Sequence, residues 1–545
     1  MSKTKLLLER VRVSVDASDE MIANKAKEKM KRAGINTSTL HFRLYKKSID
    51  ARNKEDIRFE CAVLAEGELS QKALDEKSLA RMQARILIEE EPQLVLGKEP
   101  MMTPPVVVGM GPAGLFAALL LAQNGYAPIL IDRGGSIAER ALDVARFRDE
   151  GVLNTESNVQ FGAGGAGTFS DGKLITRIND PLCNYVLKSL VTFGAPEDIR
   201  IKAKPHIGTD VLRLVVDNIL GEIERLGGRV IYHCRMDEIA ENSDKTLTVK
   251  TTKGDFPAGA LLLAPGHSAR DTYRYLIKQN YAVEAKPMSV GVRVEHLQAD
   301  IDRALYGVFA GHPNLGPAEY SLSDTKGERG VYTFCMCPGG EVVAAASEEG
   351  GLVVNGMSYH ARNNPNANAA VAVSIRCEDY EKEEGSIPLG AIAFQRRIER
   401  AAFEAGGRNY YAPVMTMQDF LNDTQTHTCG RVIPSYRDGK VNEADFRKVF
   451  PSFVTDSLKY GFRSFGQKIK GFDAPDAMLT AAETRTSAPV RILRNRETMT
   501  AVGHPLIYPC GEGAGYAGGI TSAAVDGLRA AMALMSAYAP TKRNQ

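Results

Sequence analysis

The spacing of apolar positions divides the chain into two unlike stretches. Residues 6–15 alternate late in the run, at Val11, Val13 and Val15, which predicts a half-buried strand. Residues 19–33 place Ile22, Ala26 and Met30 four apart among lysines and arginines, the period of an amphipathic helix. Residues 40–49 and 57–64 read as two further strands. A second helix is expected over 74–90 on Leu79, Met82 and Ile86, and a short last strand over 94–96. The order βαββαβ predicts a ferredoxin-like α+β module over residues 1–100. The three prolines of 98–105 mark a linker.

Beyond the linker the pattern becomes α/β. Residues 106–108 form a continuous apolar strand, followed by a glycine turn and a helix over 113–124; 129–131 is the next strand. Strands are expected again at 229–233 and 260–263, with hairpin character at 246–251. The stretch 281–499 is mixed and loop-rich. A core strand returns at 507–509, before a small-residue helix over 519–536. The predicted fold class is therefore α/β, a Rossmann-like parallel sheet interrupted by an inserted α+β domain. Its parts are a first segment over 101–280, an inserted substrate or cap domain over 281–499, and a closing segment over 500–545.

Composition narrows the classes without naming one. The 545 residues are 44% hydrophobic and 25% charged, with a net charge of +2, which excludes disordered and fibrous chains. Trp is absent, so stacking on a flat ligand falls to other residues. Residues 1–60 hold 15 Lys and Arg against 9 Asp and Glu, a charge that suits RNA or an acidic partner, though a solvated face is the plainer account. The eight cysteines include no C-x-x-C, and free thiols in a reducing cytoplasm explain them. Cys335 and Cys337 would share one face of a strand, where a bridge is strained. His427 and Cys429 offer two metal ligands with no third nearby, so no metal is expected. The start of the chain has no apolar h-region. Residues 104–131 carry no charge, but Pro104, Pro105, Pro112 and several glycines break them. The longest helical run, 113–122, rises only ~15 Å against ~30 Å of hydrocarbon, so no membrane span is expected.

The chemistry concentrates at Gly109-Met110-Gly111-Pro112-Ala113-Gly114. The first glycine allows the tight strand-to-helix turn, the second admits a pyrophosphate against backbone, and the third lets helix and strand pack closely. The helix N-terminus then meets the phosphate charge. Asp132 ends the following strand, placed to accept hydrogen bonds from both ribose hydroxyls and to repel a 2′-phosphate. This motif leaves FAD and NAD open. Two distant segments favour FAD: Ala264-Pro265-Gly266, a small-residue turn after an apolar strand, and Gly511-Glu512-Gly513. In the second, an acid suited to a ribityl hydroxyl precedes a helix opened by Gly518, Gly519 and Ile520. That helix end can direct N–H groups toward the charge that appears on a reduced flavin. The run Phe161 to Ser170, with Gly162, Gly164, Gly165, Ala166, Gly167 and Thr168, lets backbone crowd a flat ring or a diphosphate.

Over residues 100–535 the sequence resembles the bacterial FAD-dependent dehydrogenase-like proteins, also called NAD(FAD)-utilizing dehydrogenase-like. They are of the glutathione-reductase-type FAD fold, on the branch with a single dinucleotide motif. The matching stretches are Gly109 to Gly114, Asp132-Arg133-Gly134, Ser157 to Leu174, Ala264 to Asp271, Phe334 to Gly340, Glu483 to Val490 and Gly511 to Gly513. The resemblance implies non-covalent FAD held in part by Arg133, with backbone contacts from Met236 to adenine. It names no substrate.

Two absences shape the reaction: no second dinucleotide motif follows, and no C-x-x-x-x-C dithiol stands after the first. A nicotinamide is left as a transient donor over the flavin. Substrate-side candidates are Arg485, which alternates with Glu483 and Ser487 and could clamp a carboxylate, Ser268 beside His267 and Arg270, and His504 as acid or base. The expected activity is FAD-dependent hydride transfer to or from a small organic substrate. The alternatives are an RNA-modifying flavoprotein using the basic N-terminal module and a non-catalytic flavin-binding redox sensor. The oligomeric state is not written in these patterns.

Overall fold

A computed structural model describes residues 4–87, 93–425 and 430–540. The chain opens with β1 (Thr4–Ser14), α1 (Asp19–Arg32), β2 (His41–Asp50), β3 (Arg58–Gly67) and β4 (Ala84–Ile86). The four strands form one antiparallel sheet in the order β2-β3-β1-β4. α1 follows its pattern closely. Ser18 accepts the Met21 N–H as cap, acids stand in the first turn and bases in the last, and Ile22, Ala26 and Met30 are buried.

The second helix departs from expectation. It is broken into Gln71–Leu74 and Glu76–Met82 and stops at Gln83, which is left-handed at φ 47°. Ile86 therefore leaves the helical face and pairs with Leu6 across β4. The part expected at 88–90 lies outside the described residues. Leu94, Val95 and Leu96 form no strand and are exposed, since β4 already fills the sheet edge they would have taken. The linker is pinned, because Glu99–Pro100 pairs with Tyr538–Ala539.

β5 (Val106–Val108), α2 (Pro112–Gln123), β6 (Ile129–Ile131), α3 (Ile137–Glu150), β7 (Arg229–Ile231) and β8 (Leu261–Leu263) follow. α2 carries no charge and is buried from Ala113 to Ala122, as a helix apolar on every side must be. The chain then builds a second body from β9 (Met288–Leu297), β10 (Val331–Cys337), β11 (Asn366–Ile375), α4 (Ile387–Ala405), β12 (Ala412–Thr416), α5 (Ser452–Lys468) and β13 (Met478–Glu483). With Ser323–Asp324 and Val441–Glu443 at its edges, this sheet runs β10-β11-β9-β13-β12 through the middle. β9 and β11 are buried on both faces over nearly their whole length. A strand covered on both sides has no reason to alternate, which is why 281–499 reads as irregular in sequence.

β14 (Ile507–Pro509) and α6 (Ile520–Ala537) bring the chain back. The parallel sheet is β14-β8-β5-β6-β7, with Val106, Leu261 and Ile507 level with one another. All five strands therefore end at one edge. Among the described residues no helix is long and apolar enough to cross a membrane.

Candidate functional site

Three strands of the parallel sheet, β5, β8 and β14, end side by side, and each releases a glycine-containing turn at the same edge. The turns touch. A Cβ on Gly109 would collide with the Ala264 carbonyl, one on Gly511 would lie 2.6 Å from Ala113 Cβ, and one on Gly513 2.6 Å from Gly266 N. The fully buried Tyr273 places its hydroxyl 3.0 Å from Gly266 O and 2.8 Å from Gly513 O, joining the second turn to the third. Asp526 of α6 accepts the Gly511 N–H at 2.7 Å and is held by Arg494. Segments about 150 and 400 positions downstream of Gly111 thus converge on its turn, as ligand sites at the carboxyl ends of parallel strands do.

The glycine-rich run lies across this junction. Gly164 N donates to Met110 O at 2.9 Å, and a Cβ on Gly165 would stand 2.7 Å from Gly111 Cα. Arg140 of α3, fully buried, shapes the run. Its guanidinium donates to the carbonyls of Asn158, Val159, Gly162, Ala163 and Gly165. Ala166–Phe169 is a short 3-10 turn, and Thr168 Oγ1 is buried with no hydrogen-bond partner among the described residues.

The residues present fit an FAD. α2 and α6 both begin at glycines, Gly111 and Gly519, with no side-chain cap on either N-terminus. Two uncapped helix ends are sites of positive potential ready for anionic groups. Open space stands before them: a Cβ on Gly266, Gly518 or Gly519 would meet nothing within 4 Å. Asp132 accepts the N–H groups of Met110 (2.8 Å) and Gly134 (2.9 Å), so it braces the turn while each oxygen keeps a further lone pair. Cys234 N donates to Asp132 O, which brings the start of the Met236 strand to the same corner. Arg133 is engaged by Asp271 at 2.6 Å and stacks on Phe161. Burial pushes the Glu512 carboxyl up to about 7, against the pull of the Lys286 charge.

The substrate-side candidates separate. Ser268 is buried, 3.0 Å from His267 Nδ1 and 3.4 Å from Gln160. Burial, with the charges of Arg485, Arg270 and Lys286, holds His267 down at about 3. Arg485 finds its carboxylate inside the chain. Its Nε and Nη2 grip Glu399 at 3.1 and 3.0 Å, and Nη1 meets Ser347. Arg270 grips the same Glu399. The even spacing of Glu483 and Arg485 does not put them together, since β13 ends at Glu483, which pairs with Arg293 at 2.9 Å. His504 is not brought to the junction. It precedes β14, at the opposite end of the sheet from the turns, where it pairs with Glu241 and stacks on Tyr281. His427 and Cys429 lie outside the described residues. Arg140, Tyr273 and Asp526 carry no sequence signal, because the backbone atoms they meet, and the Arg494 that holds Asp526, are brought to them only by the fold.

Residues 287–486, the body around β9 to β13, match the family model described as FAD-dependent protein, C-terminal domain-like. A protein of Clostridium beijerinckii, described only as an uncharacterized protein, is 45% identical over 96% of this chain and 97% of its own length. Among solved structures, CtdE in complex with FAD aligns over 80% of this chain and 86% of its own at 10% identity and a TM-score of 0.33. The halogenase PltM aligns over 79% and 67% at 11% identity and a TM-score of 0.35. Nothing about activity follows from structural likenesses this loose. The cofactor is FAD. With nearly its whole length shared with the Clostridium relative, the chain belongs to one family with it, and over residues 287–486 it carries the FAD-dependent protein C-terminal domain.

Proposed function

We propose that the protein is an FAD-dependent oxidoreductase of the single-motif, glutathione-reductase-type branch, moving hydride between a small organic substrate and non-covalently bound FAD in the cytoplasm. The five-stranded parallel sheet is then its Rossmann-type unit, the N-terminal sheet a ferredoxin-like module, and residues 281–499 the domain that covers the flavin. Gly111 to Gly114 and the start of α2 take the pyrophosphate, Asp132 the ribose hydroxyls and Met236 the adenine. Gly164 to Thr168, Ala264 to Gly266 and Gly518 to Ile520 take the isoalloxazine side. Once bound, FAD supplies the two-electron chemistry. The chain supplies fixed electrostatics: the α6 N-terminus favours negative charge before it, and Glu512, poised near neutrality, holds or releases a proton on its carboxyl oxygen. Arg485 and Arg270 act through Glu399, keeping the floor beside Ser268 and His267 rigid. A nicotinamide serves as transient donor.

The convergence of three turns on two uncapped helix N-termini carries this reading. An absorption spectrum of the purified chain tests it: heat-releasable bands at ~370 and ~450 nm are expected of a non-covalent flavin. A chain that stays colourless after incubation with FAD would refute it. An anaerobic screen of donors then identifies the substrate class.

A further inference from the structure

β10 carries two thiols that this reading leaves unused. Phe334 faces Ala370 on β11 and Cys337 faces Asn368, so the strand advances three residues against two. Cys335 sits in that bulge with a left-handed backbone, φ 44°, which a non-glycine residue adopts only where its surroundings impose it. In a regular strand the two side chains would stand ~6.7 Å apart on one face, too far for an unstrained bridge. A bulge re-aims side chains. Here it turns Cys337 back, its S–H donating to the Cys335 carbonyl oxygen at 3.3 Å.

The surroundings suit such a pair. Buried Arg293 of β9, its charge matched by Glu483, donates to Cys335 O at 3.0 Å and lies 3.9 Å from Cys337 Sγ. Lys173, at the end of the glycine-rich segment and 3.8 Å from Asp171, reaches the Met336 carbonyl between them. The charged groups that face Cys335 are thus Arg293, Lys173 and Asp171, with Glu512 of the third turn also within charge reach. The Cys337 hydrogen bond, Arg293 and Lys173 hold Cys335 below the ordinary thiol value, while Cys337 is pushed above it. The half-buried Cys335 is thus biased toward the thiolate and the buried Cys337 toward the thiol. Lys173, which follows the glycine-rich run, and Glu512, which feels the Cys335 charge, tie this stretch of β10 to the segments assigned to FAD.

We propose that Cys335 and Cys337 are a redox pair that exchanges two electrons with the bound FAD, an inference that rests on the FAD reading above. In the oxidising direction a sulfur–sulfur bond forms between them and the Cys337 S–H bond breaks. Two electrons and two protons pass to FAD, one proton from Cys337 and the other from Cys335, or from solvent where Cys335 is the thiolate. The reverse direction restores both thiols and oxidised FAD.

The test uses the full-length FAD-loaded chain, oxidised with diamide, desalted and photoreduced without oxygen, so that electrons enter through the flavin. Absorbance near ~450 nm reports the flavin, and acid-quenched alkylation with peptide mass spectrometry reports the thiols. The expected result is an uptake of four electrons per chain, with Cys335 and Cys337 alkylated only after photoreduction; C335S and C337S take two. If a variant fails to retain FAD, trapping on the wild-type chain decides alone. Wild-type uptake of two electrons, or a 335–337 peptide that resists diamide or stays bridged beside reduced FAD, overturns the pair and leaves the FAD reading standing. A chain with no flavin band overturns both.

Discussion

Glu512 is a half-buried carboxyl for which one cation, Lys286, only partly offsets the loss of hydration. Its pKa in the fold, about 7, stands above its ordinary 4.5, so the fold favours the protonated form. The stability this brings is complete below the unfolded value and is lost as pH rises through the folded one. In the FAD-free chain, wild-type Tm is therefore expected to fall relative to E512Q between pH 4.5 and pH 8, measured by thermal unfolding at a series of pH values. A constant difference between the two would show that the carboxyl is not strained. Arg140 gives a second residue-scale prediction. Gly162 O and Gly165 O also accept backbone N–H groups, from Gly165 and Thr168, but it is Arg140 that ties all five carbonyls together, so R140M should cost about 3–5 kcal/mol in urea unfolding and weaken FAD retention. R140K should rescue little, since an ammonium lacks the fork that reaches both sides of the run. The two residues differ in how openly the sequence declares them. Glu512 stands after an apolar strand and before a glycine-rich helix start, a local pattern; Arg140 sits near the start of α3 like any surface arginine, and only the folded run around it reveals its work.

The turns and helix ends were legible where an element's role is local. β5, β6 and β14 occur where the apolar triplets place them, and α2 and α6 begin within a residue of the expected starts at Ala113 and Gly519. β9 and β11 were not legible, because burial on both faces erases the alternation that marks a strand. His504 shows the same limit at the level of direction: being near β14 in sequence says nothing about which end of the sheet it occupies, and it precedes the strand while the site follows it. The close contact of elements yields a paired prediction. In G513A the new methyl would press on the backbone of Gly266, which has no side chain to yield, so the second and third turns must part. FAD affinity by equilibrium dialysis should fall at least ~10-fold, the equivalent of about 1.4 kcal/mol. G518A meets open space and should leave unfolding stability within about 0.5 kcal/mol. Equal losses in both variants would mean that general glycine flexibility, rather than the contact between turns, holds the site.

At the scale of the molecule, the order of elements in the N-terminal hundred residues reads like a module of its own, and the charge of its first sixty residues reads most plainly as a solvated face. The packing ties that module to the rest of the chain. β2 is hydrogen-bonded along its edge to the segment at Ile201 and Ala203, through Lys47 N to Ile201 O at 2.8 Å and Ala203 N to Lys47 O at 2.9 Å. The β1–α1 turn is held by Asn314, whose Nδ2 donates to Val15 O at 2.9 Å, and by His312 against Asp16. Most telling, Leu6, Ile22 and Phe59 of the N-terminal sheet belong to one apolar cluster with Val290 and Val292 of β9 and Val371 of β11. An apolar core that crosses a proposed boundary couples the two sides, because neither can open without exposing the other's buried surface. The full chain should therefore unfold in urea with one midpoint, whether followed by circular dichroism or by the fluorescence of released FAD, a convenient probe in a chain without Trp. Two separated midpoints, with the first leaving FAD in place, would show a module that merely leans on the rest. A chain lacking residues 1–87 should then lose stability and FAD retention together, because the cluster that seats β9 and β11 would face water on the side the module now covers.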